Sequence, residues 1–569
     1  MKYIITTIAL FTILAISAQE VKTDSLKTEE VNIVKPYTPK IKDAFKIKKN
    51  PVIGNDELNN KKNVEYSINS FPVASTFTPS KGKAKGVSQK KKERVFDNYA
   101  SVGFGNYTTP KIEVFAHTSS TRDNDFGAKI NFHSSNGGIE DVKLDNDFID
   151  ASINAFYKNS TRDLDWQVGV GYDYNKQNWY GLNEENTLTN TEIDAINPSQ
   201  IYNGFNINGN IKYYDSNFKG VKLNADIFTD AFKSSEFHIL AQPEFEFPIS
   251  SEWIDINTRF EFIGGTFDKN YANTESIEYG YYNLGISPNF KVNSDFLSIN
   301  LGAHLVYSAD INNEGVSKFF IYPNVTASYE LIQDIITIYA GVTGDLHQHS
   351  YKKFVKDNLY VSPTLNIGRT NEQYNATLGT KGKVASNVSF NISASYKSEN
   401  AKPLFKLNAE LPLATAKNYQ YANSFEVIYD NVTTLDFKGE LTFDFSKEFR
   451  FGGNAGYNIY TLETQEEAWN LPVLEAGIFA KYNAKKIIAG ANVFIIGESK
   501  DQYISSLGTV NITNKAFIDV NINLGYRFTN RLSAFVNGNN LLGNNYNSIT
   551  NYKVQGIQVL GGIKYKFDL

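Results

Sequence analysis

The chain has 569 residues, a net charge of −5 and no cysteine. It therefore has no disulfides, thiolate metal sites, cysteine nucleophiles or lipid-modified N-terminal cysteine, and its mild acidity gives no reason to expect nucleic-acid binding. Mean hydropathy is −0.36, and after the first eighteen residues no apolar run reaches the roughly twenty residues of a membrane-spanning helix.

Residues 1–18 (MKYIITTIALFTILAISA) place Lys2 before an apolar core from Tyr3 to Ile16, with small residues ahead of Gln19. The pattern predicts a secretory signal peptide, too short and wrongly flanked for a retained helix. An N-terminal anchor is the alternative. Residues 19–98 are rich in Lys, Asn, Ser, Thr and Pro, and are expected to form a short, largely unstructured periplasmic segment. Within it, residues 29–40 (EEVNIVKPYTPK) are extended and β-branched, with Pro36 and Pro39 preventing a helix. The basic run at 81–94 is read as a solvated linker; attraction to anionic lipid heads is the alternative.

From Tyr99 to Leu569 the period changes to two. In residues 164–174 (LDWQVGVGYDY), Leu164, Trp166, Val168, Val170, Tyr172 and Tyr174 share one face. Residues 297–307 align Leu297, Ile299, Leu301, Ala303, Leu305 and Tyr307 against Ser298, Asn300, Gly302 and His304. Residues 515–528 repeat the pattern with Ile518, Val520, Ile522, Leu524, Tyr526 and Phe528, and 556–569 close the chain with Ile557, Val559, Ile563, Tyr565, Phe567 and Leu569. A strand sends successive side chains to opposite faces, so each segment has one apolar and one polar side. A transmembrane barrel needs this arrangement, with lipid outside and water within.

Connection lengths test the pattern independently. Tight connections are expected at 120–125, 160–163, 215–220, 249–252, 292–295, 331–334, 383–387, 446–448, 483–486 and 529–530, separated mostly by longer polar loops. Alternating short turns and long loops characterise an outer-membrane barrel. Hence the expected fold class is all-β: a transmembrane antiparallel β-barrel of about 22 strands (range 20–24) over residues 99–569. The count is open at 402–430, where Pro403 and Pro412 interrupt a weak pattern. A barrel this wide needs a plug or a water path.

Residues 534–546 (AFVNGNNLLGNNY), the closing GGIKYKFDL and residues 369–399 resemble the barrel of TonB-dependent receptors of the Gram-negative outer membrane. The resemblance implies a receptor that binds a ligand and transports it across that membrane. It also implies contact with TonB through Glu30, Val31, Asn32, Ile33 and Val34, which resemble the family's TonB-binding stretch. Tyr565, Phe567 and Leu569 resemble the signal read by the outer-membrane barrel assembly machinery. Family members carry a plug domain, and the roughly eighty residues before the first strand are too few and too polar for a normal one. The plug is reduced, or the lumen is filled by loops or a partner, or it is open. Two further functions stand beside transport: a non-transporting barrel subunit of a larger assembly, and a passive large porin.

Other chemistry is thinly supported. His347 and His349 flank Gln348 and would share a strand face, but no third ligand is placed, so no metal site is expected. No phosphate-binding glycine loop or G-x-S-x-G elbow occurs. Neither an enzyme nor a cofactor is expected; the expected partners are outer-membrane lipid, the assembly machinery, and TonB or other envelope proteins.

Overall fold

Alternating side chains leave each strand with one face for lipid and one for water, and hydrogen-bonding groups on both edges. Only closure satisfies every edge inside a bilayer. In the computed structural model, 22 strands form one antiparallel sheet. The first, Asn98–Gly105, pairs with the last, Gln558–Phe567, from Asn98 opposite Phe567 to Gly105 opposite Leu560, which closes the barrel. The structure describes residues 96–569 apart from 122, 184–187, 251, 313–315, 413–414 and 506–507. The candidate signal peptide and Glu30–Val34 lie outside the described residues.

The two ends of the barrel differ. Alternate strands are joined at one end by 122–123, 161–163, 214–217, 250–251, 294–296, 333–335, 386–387, 445–448, 484–486 and 528–531, matching every tight connection read from the sequence. The opposite end carries longer connections, notably 136–147, 179–198, 349–368, 408–424, 497–516 and 540–557. Two connections there, 106–108 and 231–234, are short, which the sequence pattern did not mark.

The open count at 402–430 resolves into long strands Val388–Leu407 and Phe425–Asp444 with a loop between them. Pro403 is tolerated mid-strand because the neighbouring strand stops pairing at Asn371 opposite Asn400, leaving only Tyr429 across from it. A residue without an N–H is stable on such a one-sided stretch.

The predicted apolar faces point outward. Val170 is 43% exposed and sits beside Ile207 at 45%, while Leu524, Tyr526 and Ile563 are exposed in the closing strands. An apolar exterior around a charged interior is the surface of a barrel lying in the outer membrane. The closing seam is tight: a Cβ on Gly562 would lie 2.4 Å from the Val102 carbonyl oxygen, so only glycine fits. Because the apolar exterior faces lipid, the buried core lies elsewhere, at the long-loop end.

Candidate functional site

The long loops carry aromatic residues that lipid contact does not explain. Trp179, Tyr351, Tyr360, Tyr419 and Tyr552 come from four different loops and pack into one cluster with the inward-facing strand ends Tyr202, Phe228, Ile263, Phe267 and Tyr279. Tyr552 stacks on Tyr360 with ring centroids 3.5 Å apart, and Tyr180 meets Tyr552 edge-on at 4.9 Å. Trp179 packs against Tyr419 at 5.2 Å.

Hydrogen bonds tie the same loops across the mouth. Loop 179–198 joins the fifth and sixth strands and loop 408–424 the fifteenth and sixteenth, on opposite sides of the ring of 22. Even so, Asn423 Nδ2 donates to the Trp179 carbonyl at 2.8 Å, and the Tyr552 hydroxyl donates to the Asn423 carbonyl. Trp179 Nε1 donates to the Tyr360 carbonyl at 3.2 Å, and the Tyr202 hydroxyl to the Leu359 carbonyl at 3.2 Å. The loops thus form a cap spanning the outer mouth.

Loop 349–368 supplies the centre of the cap. Its short helix, Tyr351–Asp357, starts at Ser350, whose hydroxyl accepts from Lys353 N at 3.0 Å. The buried Glu236 carboxylate accepts from Tyr351 N at 2.6 Å, Lys352 N at 3.1 Å and the Tyr279 hydroxyl at 2.7 Å. Asp230 accepts from the Tyr351 hydroxyl at 2.8 Å, and Lys352 Nζ reaches Asp226 at 2.6 Å. Strands Phe218–Asp230 and Ser235–Ile249, the seventh and eighth, therefore grip a helix that connects the thirteenth and fourteenth strands, about a quarter of the way round the ring. Burial raises the Tyr351 and Tyr552 phenols well above their ordinary range, which keeps them neutral donors.

The cap carries a cost. Ser234 Oγ, His349 Nδ1, Asn358 Nδ2 and the Tyr419 hydroxyl are buried without a hydrogen-bond partner among the described residues. Each such group costs about 1–3 kcal/mol. Buried unpartnered atoms also occur on the barrel strands, at Asn175, Arg259, Thr434, Asp436 and Asp519, but those strands are held in addition by continuous ladders on both edges, which the cap loops lack.

Below the cap, the lumen wall is a charged network. Arg259 bridges Glu261 at 2.9 Å and Asp345 at 3.3 Å. His238 meets Glu261 at 3.0 Å, His304 lies 3.9 Å from Asp345, and His347 is 3.2 Å from Glu372. A hollow of about 600 Å³ in this wall is lined by Arg259, His304, Asp345, Lys222, Glu244 and Lys291. No group of three or more metal-ligating side chains occurs among the described residues.

The two histidines read together from the sequence separate. Their strand ends at Gln348; His347 stays on the lumen wall, whereas His349 turns inward, bonds Thr370 Oγ1 at 2.6 Å and stacks on Phe354. Burial, followed by the nearby Lys353, His347 and Lys402, holds the His349 imidazole down at about 3. Tyr565 and Phe567 lie one above the other on the final strand with centroids 6.4 Å apart, and Leu569 is exposed at the chain end.

A second cavity, of about 1150 Å³, lies among loops 136–147, 179–198, 497–516 and 540–557. It contains an aromatic stack of Phe517 on Tyr546 at 3.8 Å, held by the Tyr546 hydroxyl donating to Asp519 at 3.0 Å. No ligand residue is marked in the sequence by a motif; the signal it carries is the aromatic content of loops that are otherwise polar, as in NWYGL at 178–182 and NYQYAN at 418–423.

No protein-family model matches the sequence, and no curated protein matches it. The fold does have solved counterparts among TonB-dependent receptors. The ferripyoverdine receptor of the outer membrane of Pseudomonas aeruginosa aligns with 84% of this chain and 72% of its own, at TM-score 0.61 and 14% identity. The ferric-catecholate import receptor Fiu of E. coli K12 aligns over 84% and 82%, at TM-score 0.60 and 9% identity. The FrpB iron transporter of Neisseria meningitidis (F3-3 variant) aligns over 84% and 82%, at 0.64 and 9%. At these identities the likeness is one of fold: this chain has the 22-stranded barrel of outer-membrane receptors.

Proposed function

We propose that this chain is an outer-membrane receptor barrel in which the loop cap gates entry of a ligand to the polar lumen. Residues 1–18 direct export, residues 19–98 lie in the periplasm, and Glu30, Val31, Asn32, Ile33 and Val34 contact TonB. Tyr565, Phe567 and Leu569 present the final strand to the barrel assembly machinery.

The observation that carries this reading is the cap, with Asn423 bonded to Trp179 across the mouth. A passive porin relies on a standing water path; loops joined across the mouth instead favour a gate, which needs a source of energy or a ligand to open it. The receptor fold shared with iron transporters supports the same reading. The cap's large aromatic core also favours a second one, in which the closed barrel is a non-transporting subunit of a larger envelope assembly.

Affinity capture from gently solubilised native outer membranes separates the two. Transport predicts recovery of a TonB-type protein, lost when residues 30–34 are deleted. Stoichiometric recovery of other envelope subunits without TonB would sink transport in favour of the assembly role.

A further inference from the structure

The cavity among loops 136–147, 179–198, 497–516 and 540–557 has chemistry that the cap does not use. At about 1150 Å³ it exceeds the ~300–1,000 Å³ of a pocket for one drug-sized ligand. Most long-loop side chains are engaged with one another, but here several are not. The side-chain amides of Asn545 and Asn547 line the space and make no hydrogen bond among the described residues. Lys143 and Lys515 line the same space without an ion pair among the described residues.

These groups define a ligand. A side-chain amide both donates and accepts, as neighbouring hydroxyls on a ring require. The Phe517–Tyr546 stack offers an apolar surface for the C–H face of such a ring. Three lysines against one aspartate, Asp141, give the lining a modest positive excess. Spread ammonium groups suit separated negative charges better than one compact, multiply charged ferric chelate.

We infer that this cavity binds an acidic oligosaccharide, its hydroxyls held by Asn545 and Asn547 and its carboxylates or sulfates by Lys143 and Lys515. The inference rests on the receptor reading above and names its ligand class.

The test uses the full chain in detergent micelles and isothermal titration calorimetry. The probes are hexagalacturonate, uncharged maltohexaose and a ferric tris-catecholate. Saturable binding of hexagalacturonate, about tenfold or more tighter than maltohexaose, is expected. The Lys143→Gln/Lys515→Gln double variant should lose that preference while keeping heat-modifiable gel migration. Should the variant not fold, the unaltered chain decides: added salt must weaken hexagalacturonate binding and leave maltohexaose unchanged. Absence of saturable hexagalacturonate binding, binding indifferent to both lysines and salt, or binding of the catecholate alone would overturn the inference. Binding in micelles requires neither TonB nor passage, so a failed TonB capture would sink transport and leave the site standing.

Discussion

Replacing Tyr552 with alanine is expected to open the cap without opening the barrel. Tyr552 is fully buried, stacks on Tyr360, meets Tyr180 edge-on and donates to the Asn423 carbonyl. Removing a buried aromatic side chain costs about 3–5 kcal/mol. None of that cost falls on the barrel ladder, because Tyr552 lies in loop 540–557. The equilibrium between closed and open cap should therefore shift by about two to three and a half orders of magnitude, at roughly 1.4 kcal/mol per decade. Tyr552→Phe removes only the hydrogen bond, about 1 kcal/mol and about fivefold. The chain has no cysteine, so a single Ser362→Cys probe reports opening directly. Ser362 is fully buried in loop 349–368, and a thiol there reacts with a water-soluble maleimide only when the cap lifts. Labelling should be slow in the parent, a few-fold faster with Tyr552→Phe and about two to three and a half orders of magnitude faster with Tyr552→Ala, at unchanged heat-modifiability. Equal rates in all three would refute the idea that the loops form one cooperative cap.

Acid should act on the same equilibrium through His349. Its imidazole is held at about 3 in the closed cap against an ordinary 6.5. A depressed histidine favours the closed state fully above about pH 6.5 and progressively less as pH falls towards 3. By pH 4.5 the loss is about 2–3 kcal/mol, so Ser362→Cys labelling, corrected for the pH dependence of the thiol reaction, should rise by about 10²-fold; His349→Gln should flatten that rise. On the exterior, Val170→Arg places a charge in the lipid-facing band beside Ile207. It should destabilise the barrel by up to about 2–4 kcal/mol, read as a lower urea midpoint for folding into liposomes, whereas Val170→Ile should be neutral. At the seam, Gly562→Val drives a side chain into the Val102 carbonyl. It should abolish the heat-modifiable folded band, while Gly439→Val, which has nothing within 4 Å of its Cβ, should leave that band intact.

The barrel was legible because its determinants are local. Each of Val168, Val170 and Tyr172 declares its face within a few residues, and turns such as 529–530 declare themselves by composition. Pro403 obscured its strand because its tolerance depends on where a neighbouring strand stops pairing with it, at Asn371 opposite Asn400, a fact that composition does not carry. The cap was illegible for a related reason. Trp179 meets Asn423, and Tyr180 meets Tyr552, only after the ring has brought their loops together. His347 and His349 looked equivalent because strand alternation was extended one residue too far; the strand stops at Gln348 and the second imidazole enters the core.

The seam has a kinetic consequence. Asn98 pairs with Phe567, so the first strand cannot gain its second neighbour until nearly the last residue of the chain is available. Until then the growing sheet has two bare edges, each a template for pairing with another chain. Loop closure over that distance is slow compared with forming any single hairpin. The hairpins can therefore form early and in any order, while completion waits on one late event between the chain's most distant strands. The Gly562 contact with Val102 lies in the middle of that event. A defect there should leave hairpins formed, the sheet unclosed, and the protein held at the stage most open to aggregation and proteolysis.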